Sequence, residues 1–240
     1  PSTATQTATA TCNFLVSLLA TSEQCDVYMQ GSSRALSPIC GPALSFFFEH
    51  GRENPRAVTL RDMIFDEEHI RVLANAPQQH KLQLALRDCR FSDGDASKNA
   101  LLQWLQSGRG PTELYRCVID SDVVADALKG NSRLRKVLLC LEKAMTAGSP
   151  ELSLIFRALA EDRGLTEFDA FWYSIGDENW TLLCQSLQRH PTLTSLGLAC
   201  TGPKRPTDKT ELSEEQKTSR TRALADMLQT NTILHTIRLF

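Results

Sequence analysis

The sequence predicts an α/β solenoid, a stack of repeated strand-and-helix units, and three observations lead there. Apolar pairs recur as Val58/Leu60, Leu84/Leu86, Val137/Leu139, Phe168/Ala170, Leu196/Leu198 and Ile237/Leu239, with a cycle of about 28 residues. Between them run helical segments with Leu105, Leu128, Leu159, Leu187 and Leu228 on one line, and Leu101, Val124, Ile155, Leu183 and Leu224 four residues earlier. Positions four apart share a helical face, so each unit carries a stripe that only its own strand and its neighbours can bury. Each helical segment then meets one of the turn residues Gly108, Asn131, Asp162, His190 and Asn231, types suited to the left-handed turn that ends a helix.

Taken in order, residues 1–11 are almost all Thr, Ala, Ser and Gln, and so little apolar content predicts a disordered tail. The run Asn13 to Ala20 is far shorter than the roughly 18 apolar residues of a membrane span and lacks the basic residue that precedes a secretory leader. It is expected to be the helix of a partial first repeat, followed by a strand containing Val27 and Tyr28. The position that opens each later strand is Leu134, Leu165, Leu193 or Leu234, but Pro55, Lys81 and Pro111 in the earlier units, which are therefore degenerate. One further strand is expected with Leu114 in a core slot and Arg116 in the next. The last cycle is longer by about 13 residues, an aperiodic, charged insertion over 202–217 read as a solvated excursion. The chain stops on Ile237-Arg-Leu-Phe240, an apolar strand with no helix after it, and the expectation is that the array continues in the natural protein.

The lines Leu193-Thr-Ser-Leu-Gly-Leu-Ala-Cys200 and Leu234-His-Thr-Ile-Arg-Leu239, with the preceding helix Trp180-Thr-Leu-Leu-Cys-Gln-Ser-Leu187, resemble leucine-rich repeats of the ribonuclease-inhibitor type. The resemblance spans residues 38–240, within a repeat domain of seven to eight units over 12–240. It implies a leucine-rich-repeat horseshoe, with parallel β-strands on the concave face and α-helices on the convex face, used for binding proteins.

Composition narrows the function. With 26 basic against 28 acidic residues and a net charge of −2, no global field attracts nucleic acid or anionic membrane, and neither is expected as a partner. The eight cysteines, Cys12, Cys25, Cys40, Cys89, Cys117, Cys140, Cys184 and Cys200, form no C-x-x-C, and no His stands at zinc-ligand spacing from a pair. No metal or cofactor is expected. Their even spread indicates a reducing compartment, the cytoplasm or alternatively the nucleus. Asp66-Glu67-Glu68-His69 is better explained by Asp66 capping a helix than by a carboxylate–histidine site. Asp93-Gly94-Asp95 lacks the alternating ligands of a calcium loop. Cys184 and His190 fall on different faces of one helix. Nothing here makes an enzyme.

If the horseshoe holds, function belongs on the concave face. The outward positions there are Arg61, Arg87, Tyr115, Arg135, Lys136, Glu167, Asp169, Phe171, His235 and Arg238. The row reads basic early and acidic in the middle, suiting a protein partner of complementary charge, with Tyr115, Phe171 and Trp172 as aromatic anchors. The expected function is a non-catalytic protein-binding module, part of a larger receptor or scaffold. The chain is expected to be a monomer, with end-to-end pairing through the last strand as the route to assembly. By fold analogy alone, the alternative is a regulator of a small GTPase, and a weaker one is a structural spacer.

Overall fold

The computed structural model describes residues 27–30, 57–75, 83–129, 133–140, 150–172, 175–200 and 212–239. The predicted tail, the run at 13–20, the first three cysteines and most of the 202–217 stretch lie outside them. Contacts divide the chain into two units, residues 1–117 and 118–240.

In unit 1 the strands β1 (Val27–Gln30), β2 (Ala57–Arg61), β4 (Gln83–Arg87) and β6 (Glu113–Cys117) pair in that order, all parallel. Parallel neighbours need a crossover, and helices α1 (Glu67–Asn75) and α2 (Asp95–Gln106) supply it and pack on each other. A second ladder joins β3 (Ile64–Phe65) to β5 (Arg90–Phe91), with the Phe65 and Phe91 rings stacked at 5.7 Å. Alternation decides which side chains go inward: Val58, Leu60, Leu84 and Leu86 are fully buried, and Ile70, Leu73, Trp104 and Leu105 cover them from the helices. Asp66 caps α1 as expected, its Oδ1 accepting the His69 amide at 2.9 Å and meeting His69 Nδ1 at 2.6 Å.

The ladder corrects the expected register of β6. Leu114 pairs with Leu86, so it fills the slot assigned to Arg116, and Thr112 stands level with Leu84. Thr112 fits because its amide and hydroxyl both donate to the Leu84 carbonyl, at 2.8 and 3.1 Å. Arg116 is exposed near the strand end, with φ of 53°, matching Asp88 (φ 52°) one unit earlier and Asp62 (φ 53°) two units earlier. The left-handed residues of these units therefore lie at or next to strand ends, and the buried Met63, Cys89 and Cys117 follow them.

In unit 2, β7 (Lys136–Cys140), β8 (Glu167–Trp172), β9 (Ser195–Cys200) and β10 (Thr236–Leu239) form the same parallel arrangement. Helices α3 (Ser121–Leu128), α4 (Pro150–Glu161), α5 (Asp177–Leu187) and α6 (Glu214–Thr230) pack each on the next. Val137, Phe168, Leu196 and Ile237 stand in one register row, as the repeat spacing requires. Val124, Leu128, Ile155, Phe156, Leu159, Leu183 and Leu187 close over that sheet. Part of the expected excursion is ordered helix: Ser213 accepts the Gln216 amide and Gln216 Oε1 accepts the Ser213 amide, and α6 starts from this reciprocal cap.

The last helix departs from the leucine stripe. Leu228 is 46% exposed and Leu224 half-buried, while Met227 is fully buried. The cause is the docking of α6. Asp177 at the start of α5 holds Arg220 at 2.6 Å and Gln216 at 2.8 Å, and the Trp180 indole donates to the Arg220 carbonyl. Residues 216, 220 and 227 lie along one side of a helix, and Leu228 is turned off it. Leu187 and Leu228 were assigned the same repeat slot, so Leu187→Ala should cost about 2–5 kcal/mol and Leu228→Ala under about 1 kcal/mol in urea denaturation.

Candidate functional site

The side of each sheet not covered by helices carries most of the residues singled out from the sequence. On unit 1, Arg61, Arg87 and Tyr115 stand in one register row. Arg61 donates to the Tyr28 hydroxyl at 3.3 Å and meets Asp88 at 3.0 Å, and Arg116 meets the same Asp88 at 3.2 Å. Arg87 lies 3.8 Å from Glu113 and 5.5 Å from the centre of the Tyr115 ring. The three arginines thus stand against Asp62, Asp88 and Glu113, and the expected basic half is neutral at short range. Tyr28 is 53% exposed and Tyr115 39%. Tyr28 was missed as a candidate because only the register with β2 places it beside Arg61.

On unit 2, Lys136 pairs with Glu167 at 3.2 Å, across neighbouring strands. Asp169 and Arg238 are two strands apart yet meet twice, at 2.9 and 3.0 Å. Gly197 stands between them in register, and a Cβ there would lie 2.0 Å from Asp169 Oδ1. The missing side chain is what lets the carboxylate cross β9, and a lone strand glycine was the sequence signal for such a close approach. Phe171 belongs to β8, beside Ala199 in register, and its side chain, like that of Trp172, is outside the described residues.

Two candidates leave the row. Arg135 precedes β7 and donates to the Gly164 carbonyl at 2.7 Å, in the turn after α4. His235 precedes β10, and its amide bonds to the Thr194 carbonyl at 2.9 Å. Both sit at the edge where strands begin, one residue before the alternation that defines the face.

At that edge the predicted turn residues act through their side chains. Asp162 Oδ1 accepts the amides of Gly164 and Leu165 at 3.0 and 2.7 Å. His190 Nδ1 accepts that of Leu193 at 3.1 Å. Asn231 Oδ1 accepts those of Ile233 and Leu234 at 2.8 and 2.7 Å, while its Nδ2 donates to the Leu187 carbonyl. All three are buried, and the left-handed backbone expected here is absent from them and from Gly108. Asn131 lies outside the described residues. The residue type is set by the need for a compact acceptor, because the amides opening each strand are buried and must be satisfied.

Burial, followed by the nearby Arg163 charge, pulls the His190 pKa from 6.5 to about 4. Burial also raises the Asp162 carboxyl above its ordinary range. Elsewhere, burial pushes the Cys184 thiol up to about 11. No group of three or more metal-ligating side chains occurs among the described residues, and none of their helices is long and apolar enough to cross a membrane.

No family model and no curated protein matches the sequence. Among solved structures, the tropomodulin C-terminal domain of Caenorhabditis elegans is similar at 12% identity, covering 92% of this chain and 93% of that one, with a TM-score of 0.32. So loose a superposition carries no argument about what this chain does.

Two predictions follow from this geometry. Replacing Gly197 by Ala should push Asp169 off Arg238. The Asp169/Arg238 coupling, measured by a double-mutant cycle, should fall from about 0.5–1 kcal/mol in this part-exposed pair to nothing in the Gly197→Ala background. His190→Asn should retain acceptor bonds of the Asn231 kind and remove a titration. Unfolded His190 takes up its proton near pH 6.5 and the folded residue only near 4, so the unfolded state binds more protons in between and stability falls as pH falls. Asp162, whose Oδ1 lies 3.7 Å from His190 Nε2, has the opposite sign, losing stability as its raised carboxyl ionises with rising pH. Relative to His190→Asn, the wild type should therefore lose roughly 3 kcal/mol between pH 7 and pH 4 in urea denaturation.

Proposed function

We propose that the chain is a leucine-rich-repeat solenoid of the ribonuclease-inhibitor-like type, and that the open strand face is a non-catalytic surface for a protein partner. The observation that carries this reading is the contrast between the two sides of each strand. The inward positions of successive units are buried at matching register, while the outward ones carry paired charges and exposed tyrosines. A surface with Tyr28 and Tyr115 next to locally neutralised arginines supports recognition by aromatic anchors and shape, since tyrosine and arginine dominate the centres of protein interfaces. Pairing also argues for binding over catalysis in a partner's site, because Arg61, Arg87 and Arg238 would each have to give up a carboxylate to act elsewhere. The chain is proposed to act as a monomer in a reducing compartment.

The test is a quantitative comparison of captured proteins for wild type, Tyr28→Ala/Tyr115→Ala, Arg87→Glu and a control, Arg157→Glu, on the exposed side of α4. A partner weakened by about tenfold or more in the strand-face variants and unchanged in the control supports the reading. Loss with Arg157→Glu and retention by the strand-face variants would place recognition on the helices and overturn it.

A further inference from the structure

Met63, Cys89 and Cys117 occupy one column of unit 1, each directly after a left-handed residue at or next to a strand end and each buried. The ladder brings the two cysteines side by side. Arg87 pairs with Tyr115, the Asp88 amide donates to the Tyr115 carbonyl at 2.8 Å, and the next step sets Cys89 against Cys117. Both thiols point along the ladder in the same way. Cys89 Sγ donates to the Leu60 carbonyl at 3.3 Å and the Arg87 carbonyl at 3.2 Å, and Cys117 Sγ to those of Leu86 at 3.4 Å and Tyr115 at 3.7 Å. Both are free thiols. Neighbouring strands lie about 4.8 Å apart, within the Cα separation of about 4.4–6.8 Å that a disulfide bridges.

We propose that Cys89 and Cys117 form a dithiol oxidation site, which a peroxide-class oxidant closes to a disulfide clamping β4 to β6. The Cys89 thiolate attacks the peroxide, an S–O bond forms as the O–O bond breaks, and the departing hydroxide takes a proton to leave as water. Cys117 sulfur then displaces the hydroxyl of the Cys89 sulfenic acid. The S–S bond forms as S–O breaks, and the second water carries away the remaining thiol proton. Two thiols are oxidised to one disulfide and one peroxide is reduced to two waters. The order follows from the asymmetry of the pair. The neighbouring Cys117 thiol holds the Cys89 thiol below its ordinary range, whereas Cys89 and burial raise Cys117. Both sulfurs are covered, so the oxidant gains access when the strand ends at Asp88 and Arg116 open.

The test uses the full reduced chain, treated with hydrogen peroxide, denatured, alkylated with N-ethylmaleimide, digested and read by mass spectrometry. The expected product is a linked pair of Cys89 and Cys117 peptides, two hydrogens lighter than their sum, with Cys184 still alkylated as the internal control. Separate alkylation of Cys89 and Cys117, oxidation of either one to sulfinic acid without linkage, or linkage to other cysteines would overturn the proposal. Phenylarsine oxide probes the same pairing without mutation. One arsenic bridging the two sulfurs should protect both from alkylation, and protection of neither counts against the site. In Cys117→Ser, Cys89 should stop at a sulfenic acid that dimedone traps, and an unlabelled Cys89 would contradict its role as the attacking thiol.

Discussion

Everything in both units rests on the parallel ladder that sets each strand in register on the one before it. A two-sided unit of one short strand and one helix has too little interior to bury its own leucines, and Leu84 is fully buried with Val58 beside it in the ladder and α1 packed on α2. In unit 2 the same dependence links Val137, Phe168 and Leu196. A register slip by one residue would turn each of these outward and bring Lys136, Glu167 and Ser195 into the core. The apolar alternation therefore enforces the stacking as much as it benefits from it.

Stacking creates a second demand, at the ends of the strands. Where a helix gives way to a strand, amides are buried with no ladder partner, and Asp162, His190 and Asn231 answer with a side-chain acceptor in successive units. The three differ in what they contribute beyond geometry. Asparagine is neutral at every pH, aspartate brings a buried charge, and histidine must stay uncharged to serve, which ties the stability of unit 2 to acidity. At the opposite ends of the unit 1 strands the chain turns through left-handed residues, and Asp62, Asp88 and Arg116 convert that turn into part of a charge network with Arg61.

How far this was legible in the residues depends on which force placed them. The strand pairs and the helix stripes of α2 to α5 were legible because burial acts on side chains with a fixed period, and Leu101, Val124, Ile155 and Leu183 all lie in the interior. The slip at Leu114 arose because Thr112 satisfies a core-edge slot by hydrogen bonding to Leu84, which a search for apolar pairs passes over. Leu228 was misplaced for a related reason. The orientation of α6 is set by polar contacts from Asp177 and Trp180, which have no apolar period to read. The turn residues were found at the right positions, but the backbone reason assigned to them was wrong, since side-chain acceptors and left-handed turns favour overlapping residue types. Charge pairing was not legible beyond the hint of a strand glycine, because Asp169 and Arg238 are neighbours only through the register of β8, β9 and β10 and the absence of a side chain at Gly197.

The paired charges bear on how the open face can recognise anything. An isolated surface arginine attracts ligands over roughly a Debye length and gives affinity that salt removes, whereas one already held by a carboxylate presents a fixed, locally neutral group with little long-range pull. On unit 1 the arginines also brace the tyrosines: Arg61 bonds the Tyr28 hydroxyl and Arg87 lies over the Tyr115 ring. Ordering of that kind lowers the entropy that an aromatic anchor loses on binding, so the network favours preorganisation over steering. Binding to such a face should accordingly depend on the shape of the partner and only weakly on ionic strength. That expectation separates it from the charge-complementary row that the unpaired sequence suggests.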